Sequence, residues 1–261
     1  MSAATPPPAV IPALTEYLLA LADDKFFLGH LDSDWTGLAP LLEEDIAFSS
    51  LSQDEIGHAS AIYQLIATWD GRSADRIAFG RAPGQYRCAS ITTIEDDFDW
   101  ATAIARRWFC DHFDALRLQR LCGSNFAPLK ALATRIAAEE RIHAAHSDAW
   151  IVRLGKGNAD SRGRLQAAVD RLSTPAADLF EPTPGVSDLE AAGVILSDPR
   201  MFERWKESLE RVAAAGGISL RVSPRAASAP PAGRAGRHQP GFAAVHAELS
   251  EVFQLEPDAA W

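Results

Sequence analysis

Cysteine is scarce in this chain of 261 residues: Cys88, Cys110 and Cys122 form no Cys-x-x-Cys pair, and their number is odd. That argues against a disulfide framework. No apolar run approaches the roughly 20 residues that a membrane-spanning helix needs, so no membrane role is expected. The stretch from Met1 to Ile11 is a run of Ala and Pro without a basic start or an apolar centre, which predicts no secretory leader. Positive charge is in deficit, with 25 Lys plus Arg against 35 Asp plus Glu, a net charge of −10 and a pI near 5.2. A chain this acidic repels a phosphate backbone, and no basic stripe offsets it, which disfavours nucleic acid as a partner. Glycine-rich phosphate loops and Gly-x-Ser-x-Gly are missing as well. What is present is 47% hydrophobic and 23% charged, an ordinary globular composition with ample length for a core. The expected compartment is the cytoplasm.

Hydrophobic spacing reads as helix almost everywhere. A first segment runs from about Ala13 to Leu31, and a second from near Leu38 to Trp69, with Pro40 in its first turn. Residues 71–92 form a connection too long for a plain loop, hence functional or locally structured. A third helix is predicted from Thr92-Thr93, where Thr92-x-x-Glu95 fits a capping box, to Cys122 before Gly123. A fourth covers Phe126 or Pro128 to Leu154 and stops at Gly155-Lys156-Gly157. Shorter helices follow near 160–180, 199–215 and 241–255, with a loop at 181–198 and an extended Pro/Gly/Arg/Ala stretch at 223–239. No strand run stands out. The expected architecture is all-α, one helical-bundle domain over 1–261, with a four-helix core at about 13–155 and appended helices beyond.

Charged residues interrupt the apolar stripes of those four helices. The second carries Leu41, Phe48, Glu55, Ile62 and Trp69 on one series and Leu51, His58 and Leu65 on its neighbour. The fourth carries Leu129, Ala133, Ile136, Glu140, His143, Ser147 and Trp150, the third places Asp111 between Trp108 and Ala115, and the first places Asp24 between Leu21 and Leu28. Residues three apart on a helix share a face, so Glu55 pairs with His58 and Glu140 with His143. With 15 Glu and 7 His in the chain, about 0.4 Glu-x-x-His matches would occur by chance. Unpartnered buried carboxylates would cost several kcal/mol each. Two bound cations would remove that penalty, and one acid from each of two helices plus two Glu-x-x-His pairs is the ligand set of di-metal carboxylate bundles. Oxygen and imidazole donors without thiolate suit iron or manganese. The candidate ligands are therefore Asp24, Glu55, His58, Asp111, Glu140 and His143. Asp23 and Lys25 are rivals for the first-helix position, and Lys25, 30 residues before Glu55, would fill the site with a cation in place of a metal. The other alternative is a polar patch whose acids pair with Arg. Glu139 is expected to be exposed, Glu43, Glu44 and Asp45 to form a solvated face, and Arg106-Arg107 to pair with acids of neighbouring helices.

Several strings carry a resemblance. Leu42-Glu43-Glu44-Asp45-Ile46-Ala47 leads to Gln53-Asp54-Glu55-Ile56-Gly57-His58-Ala59, followed later by Ala105-Arg106-Arg107-Trp108-Phe109-Cys110-Asp111 and Glu139-Glu140-Arg141-Ile142-His143. Together they resemble the phenylacetic acid catabolism proteins of the ferritin-like superfamily. The end of the chain, Gly233-Arg234-Ala235-Gly236-Arg237-His238 with a terminal Trp261, is similar to the C-type subunits of the ring-1,2-epoxidases of that family. The resemblance implies a supporting subunit of a multicomponent monooxygenase that acts on phenylacetyl-CoA. Its partners would be an A-type subunit holding a di-iron centre, a reductase and a small B-type subunit. Many C-type subunits have lost the Glu-x-x-His pairs that are intact here. That departure leaves two further readings, an independently competent di-iron oxygenase subunit or a metal-free helical interaction protein.

Overall fold

The computed structural model describes residues 6–257 and residue 259; Met1 and the terminal Trp261 lie outside the described residues. Among the described residues all regular structure is helical. The long elements are α1 (Ile11–Ser33), α2 (Leu42–Asp70), α4 (Trp100–Cys122) and α5 (Ala127–Gly155), with the short α3 (Ala74–Phe79) in the connection between α2 and α4. α6 (Ala159–Ala177), α7 (Val186–Ala191), α8 (Met201–Gly216) and α9 (Phe242–Leu255) follow. α1 packs along α2 and α4 along α5, α2 meets α5, and α6 and α8 flank the α4–α5 pair. The all-α expectation with four long helices holds.

α1 is buried on nearly every side, from Leu14 through Leu18, Leu21 and Phe27 to Leu31. A helix apolar all round belongs in an interior. Its approach to α2 depends on Gly29: a Cβ there would stand 2.9 Å from Cβ of Glu55 and 3.1 Å from the Ser52 carbonyl. Ser52 uses that proximity, donating its hydroxyl to the Gly29 carbonyl at 2.7 Å.

The four long helices share two apolar clusters. One gathers Leu18 and Leu21 of α1, Ala59 and Ile62 of α2, Leu118 and Leu121 of α4, and Leu129 and Ile136 of α5. The other gathers Leu28, Phe48, Leu51, Ile104, Trp108, Trp150 and Ile151, with Trp205 of α8 packed on Phe109. Every long helix therefore passes from one cluster to the other, and the residues between belong to a buried polar layer: Lys25, Glu55 and His58, Asp111 and Asp114, Glu140 and His143.

Four expectations meet a more detailed outcome. α2 begins at Leu42, so Pro40 lies in the preceding turn, and Leu41 is extended with φ −142° and ψ 150°. α4 begins at Trp100 rather than Thr92. Asp97 and Phe98 have φ of 51° and 55°, which stops a helix there, and Asp99 provides the cap by accepting from the Thr102 N–H. Thr92 and Thr93 instead belong to a 3-10 turn, Ser90–Thr93. The stretch 181–198, expected as loop, contains α7. The connection 71–92 is locally structured, as its length required, by α3 and by 3-10 turns at Pro83–Gln85 and Ser90–Thr93.

Candidate functional site

Three consecutive charged residues on α1 decide the site. Successive side chains on a helix point about 100° apart, so Asp23, Asp24 and Lys25 cannot face the same neighbour. All three are buried. Asp23 turns toward α2 and the segment after α3, where it accepts from Tyr63 Oη at 2.6 Å, from Arg81 Nη1 at 2.9 Å and from the Arg87 N–H at 2.6 Å. Asp24 turns to Arg117 of α4 at 2.7 Å, to both terminal nitrogens of Arg234 at 2.7 Å, and to the Ala89 N–H at 2.7 Å. Of the three, Lys25 alone faces the polar layer. Its Nζ lies 3.0 Å from Glu55 Oε2, 2.8 Å from Asp114 Oδ2 and 2.6 Å from Glu140 Oε1.

The structure thus separates Asp24 from the other candidates and brings Glu55, Asp111, Glu140 and His143 together, each offering an atom within 4.8 Å of the others. His143 Nδ1 lies 3.4 Å from Glu55 Oε1 and 3.5 Å from Glu140 Oε1. His58 stands at the edge of the cluster, its Nδ1 3.2 Å from Glu140 Oε1 and its Nε2 2.5 Å from Glu139 Oε2. Glu139 is 44% exposed on its side chain, as expected, yet it is tied to His58. Glu44, placed on a solvated face from sequence, is instead turned to His146, whose Nε2 lies 2.7 Å from its carboxylate.

Arg107, fully buried, is the second cation of the layer. It reaches Asp32 Oδ2 at 2.5 Å, Glu55 Oε1 at 3.2 Å and Asp111 Oδ1 at 3.2 Å. Arg106 pairs with Asp32 at 3.0 Å and Asp96 at 3.1 Å, so both arginines meet acids as the sequence predicts. Asp114 was not among the candidate ligands, although its spacing from Arg117 (i,i+3) and the Arg107–Asp111 spacing (i,i+4) are visible in the sequence.

These charges set the protonation states. Burial alone would lower the Lys25 pKa, but Asp114, Glu140 and Glu55 hold it well above its usual value. Burial would raise that of Glu55, but the Lys25 charge, the His143 hydrogen bond and Arg107 hold it well below the carboxylate range. His143 is pushed up to about 9: burial opposes its charge, and its bond to Glu55 and the Glu140 charge outweigh that. Burial lifts Asp111 to about 6 against the pull of Arg107 and His143. The donor set of oxygens and imidazole fits a metal centre, and Asp111 Oδ2 and Glu140 Oε2 are buried without a hydrogen-bond partner among the described residues. The space among the donors, however, is held by an ammonium and a guanidinium.

Fold and layer define a class: an all-α, ferritin-like bundle with carboxylates and imidazoles at its centre. Within that class the chain belongs to the family described as phenylacetic acid catabolic protein, whose sequence model matches residues 1–261. It is 28% identical over 250 residues to the C-type subunit of the 1,2-phenylacetyl-CoA epoxidase of Escherichia coli K12, an alignment covering 95% of this chain and 99% of that protein. It is 24% identical over 151 residues to the A-type subunit of the same enzyme, covering 58% of this chain and 48% of that protein. Among the described residues, no helix is long and apolar enough to cross a membrane.

Proposed function

We propose that this chain is the supporting, C-type subunit of a multicomponent phenylacetyl-CoA 1,2-epoxidase in the cytoplasm. It would pair with an A-type subunit that carries the catalytic metal, and a reductase and a small B-type subunit would complete the enzyme. The observation that carries this reading is the end-to-end likeness to a C-type subunit, against a partial likeness to an A-type one. The charge layer supports it, because Lys25 and Arg107 neutralise the acids that a catalytic bundle would offer to metal. The outer surfaces of α2 and α5 carry Leu42, Ile46 and Ile142 at 71%, 65% and 68% exposure, apolar side chains suited to a helical partner.

Co-expression of this chain with an A-type subunit from the same source tests the proposal. A stable heteromer on size-exclusion chromatography, with epoxidation of phenylacetyl-CoA that depends on both chains, is the expected outcome. Failure of the two chains to associate at micromolar concentration refutes it. The second reading, a subunit with its own di-iron site, is favoured by one observation, the convergence of Glu55, Asp111, Glu140 and His143. There those four residues would hold the metal, which supplies oxygen-activating redox chemistry when bound. His58 and Glu139 would close the site toward solvent.

A further inference from the structure

We infer that Lys25 is the resident cation of the bundle's polar layer: this chain keeps the oxygen and imidazole donors of a metal centre and has exchanged the metal for a side-chain ammonium. An ammonium has three N–H donors and no acceptor. Lys25 directs them at three carboxylates, one from each of the other long helices: Glu55 of α2, Asp114 of α4 and Glu140 of α5, at 3.0, 2.8 and 2.6 Å. Its side chain is 0% exposed, so the ammonium is shut off from bulk solvent. A metal held by Glu55 and Glu140 would take the same role, joining the helices through their carboxylates.

The two occupants exclude each other on charge. A divalent ion about 2 Å from a carboxylate oxygen would lie within a few ångströms of an ammonium that is itself 2.6 Å from Glu140 Oε1. Like charges that close, screened from water, repel by several-fold more than they would in bulk solvent. Arg107 adds a second fixed positive charge 3.2 Å from both Glu55 Oε1 and Asp111 Oδ1. The first-helix acid that would complete a ligand set is absent from the layer, because Asp24 is turned away and clamped by Arg117 and Arg234. Lys25 thus stands where the first-helix acid of a metal site would, on the Glu55 and Glu140 carboxylates. Replacing Lys25 with Glu would supply an acid from α1 and remove the ammonium. The unpartnered oxygens of Asp111 and Glu140 would then be free to ligate.

The full-length wild type, K25E and K25M are purified from iron-supplemented cells and titrated with Co(II). Expected are substoichiometric iron and no cobalt absorption bands in the wild type. K25E should retain metal, develop visible cobalt bands and gain in Tm as Co(II) is added. K25M, which keeps the stem and loses the charge, should have a lower Tm than wild type in metal-free buffer. Should K25E be unfolded without metal, recovery of its helical circular dichroism on adding Co(II) supports the exchange. The inference is overturned by stoichiometric iron or cobalt in the wild type, by K25E that neither binds Co(II) nor folds with it, or by K25M with an unchanged Tm.

Discussion

At the scale of single residues, the buried polar layer makes stability depend on pH in a definable direction. The folded-state pKa of His143, about 9, lies above the ordinary value near 6.5, so the folded chain binds its proton more tightly than the unfolded one. The stabilisation is complete below pH 6.5 and disappears as pH rises through 9, amounting to at most about 3 kcal/mol. Asp111, raised to about 6 by burial, acts in the same sense over a lower window, losing stability as pH climbs from its usual value toward 6. Glu55 and Asp24 are depressed and act oppositely, protecting the fold until acid protonates them. Thermal melts from pH 6.5 to 9 should therefore show a falling Tm, and His143→Gln should flatten that slope. A slope unaltered by the substitution would show that another group carries the titration.

At the scale of elements, the crossing of α1 and α2 controls how close Lys25 comes to Glu55. Gly29 lies one turn beyond Lys25, and its missing side chain lets Glu55 Cβ stand within 2.9 Å of where a Cβ would be. Gly29→Ala gains helix propensity, of order 1 kcal/mol, yet wedges two helices whose contact there is backbone and rigid Cβ. The steric term wins, because overpacking a well-filled interior costs about 1–3 kcal/mol and neither atom can swing aside. Expected is a loss of about 1 kcal/mol or more in urea unfolding, with the m-value unchanged. Much of this level was legible beforehand. The seams of α2 and α5 followed from three- and four-residue spacing, and Glu55, His58, Glu140 and His143 all fall in or beside the buried layer. The start of α4 was not legible, because the capping pattern at Thr92 is local, whereas Asp96 is drawn inward by Arg106 and by the Trp35 indole at 3.0 Å.

At the scale of the whole molecule, the chain beyond α8 is tied to the bundle by Arg234. Its guanidinium binds Asp24 twice and reaches the backbone carbonyls of Ala20 at 3.0 Å and Arg87 at 2.8 Å. Removing it strands a buried carboxylate beside a single remaining arginine, and breaking such pairs costs about 3–5 kcal/mol. Arg234→Ala should lower the global unfolding free energy by that order in a single transition, which would support the proposal that core and appended helices form one domain. A separate early transition would count against it. On the outer face, Ile46→Lys with Ile142→Lys should leave stability within about 0.5 kcal/mol of wild type, as exposed substitutions do. The pair should abolish heteromer formation with an A-type subunit by size-exclusion chromatography, and an unaffected heteromer would move the proposed interface elsewhere.

The sequence by itself determined the helical class, the four long elements and the presence of acids and imidazoles in their buried seams, because those features are encoded in spacings of three and four along the chain. Which of Asp23, Asp24 and Lys25 enters the layer was decided only by the tertiary structure. Helical rotation separates the three by about 100° each, but the packing of α1 chooses the face that each one meets. Arg234, 210 residues from Asp24 in the chain, takes one carboxylate out of contention, and Arg81 takes the other. The cation that remains, Lys25, meets one acid from each neighbouring helix, and no pattern of local spacing carries that arrangement.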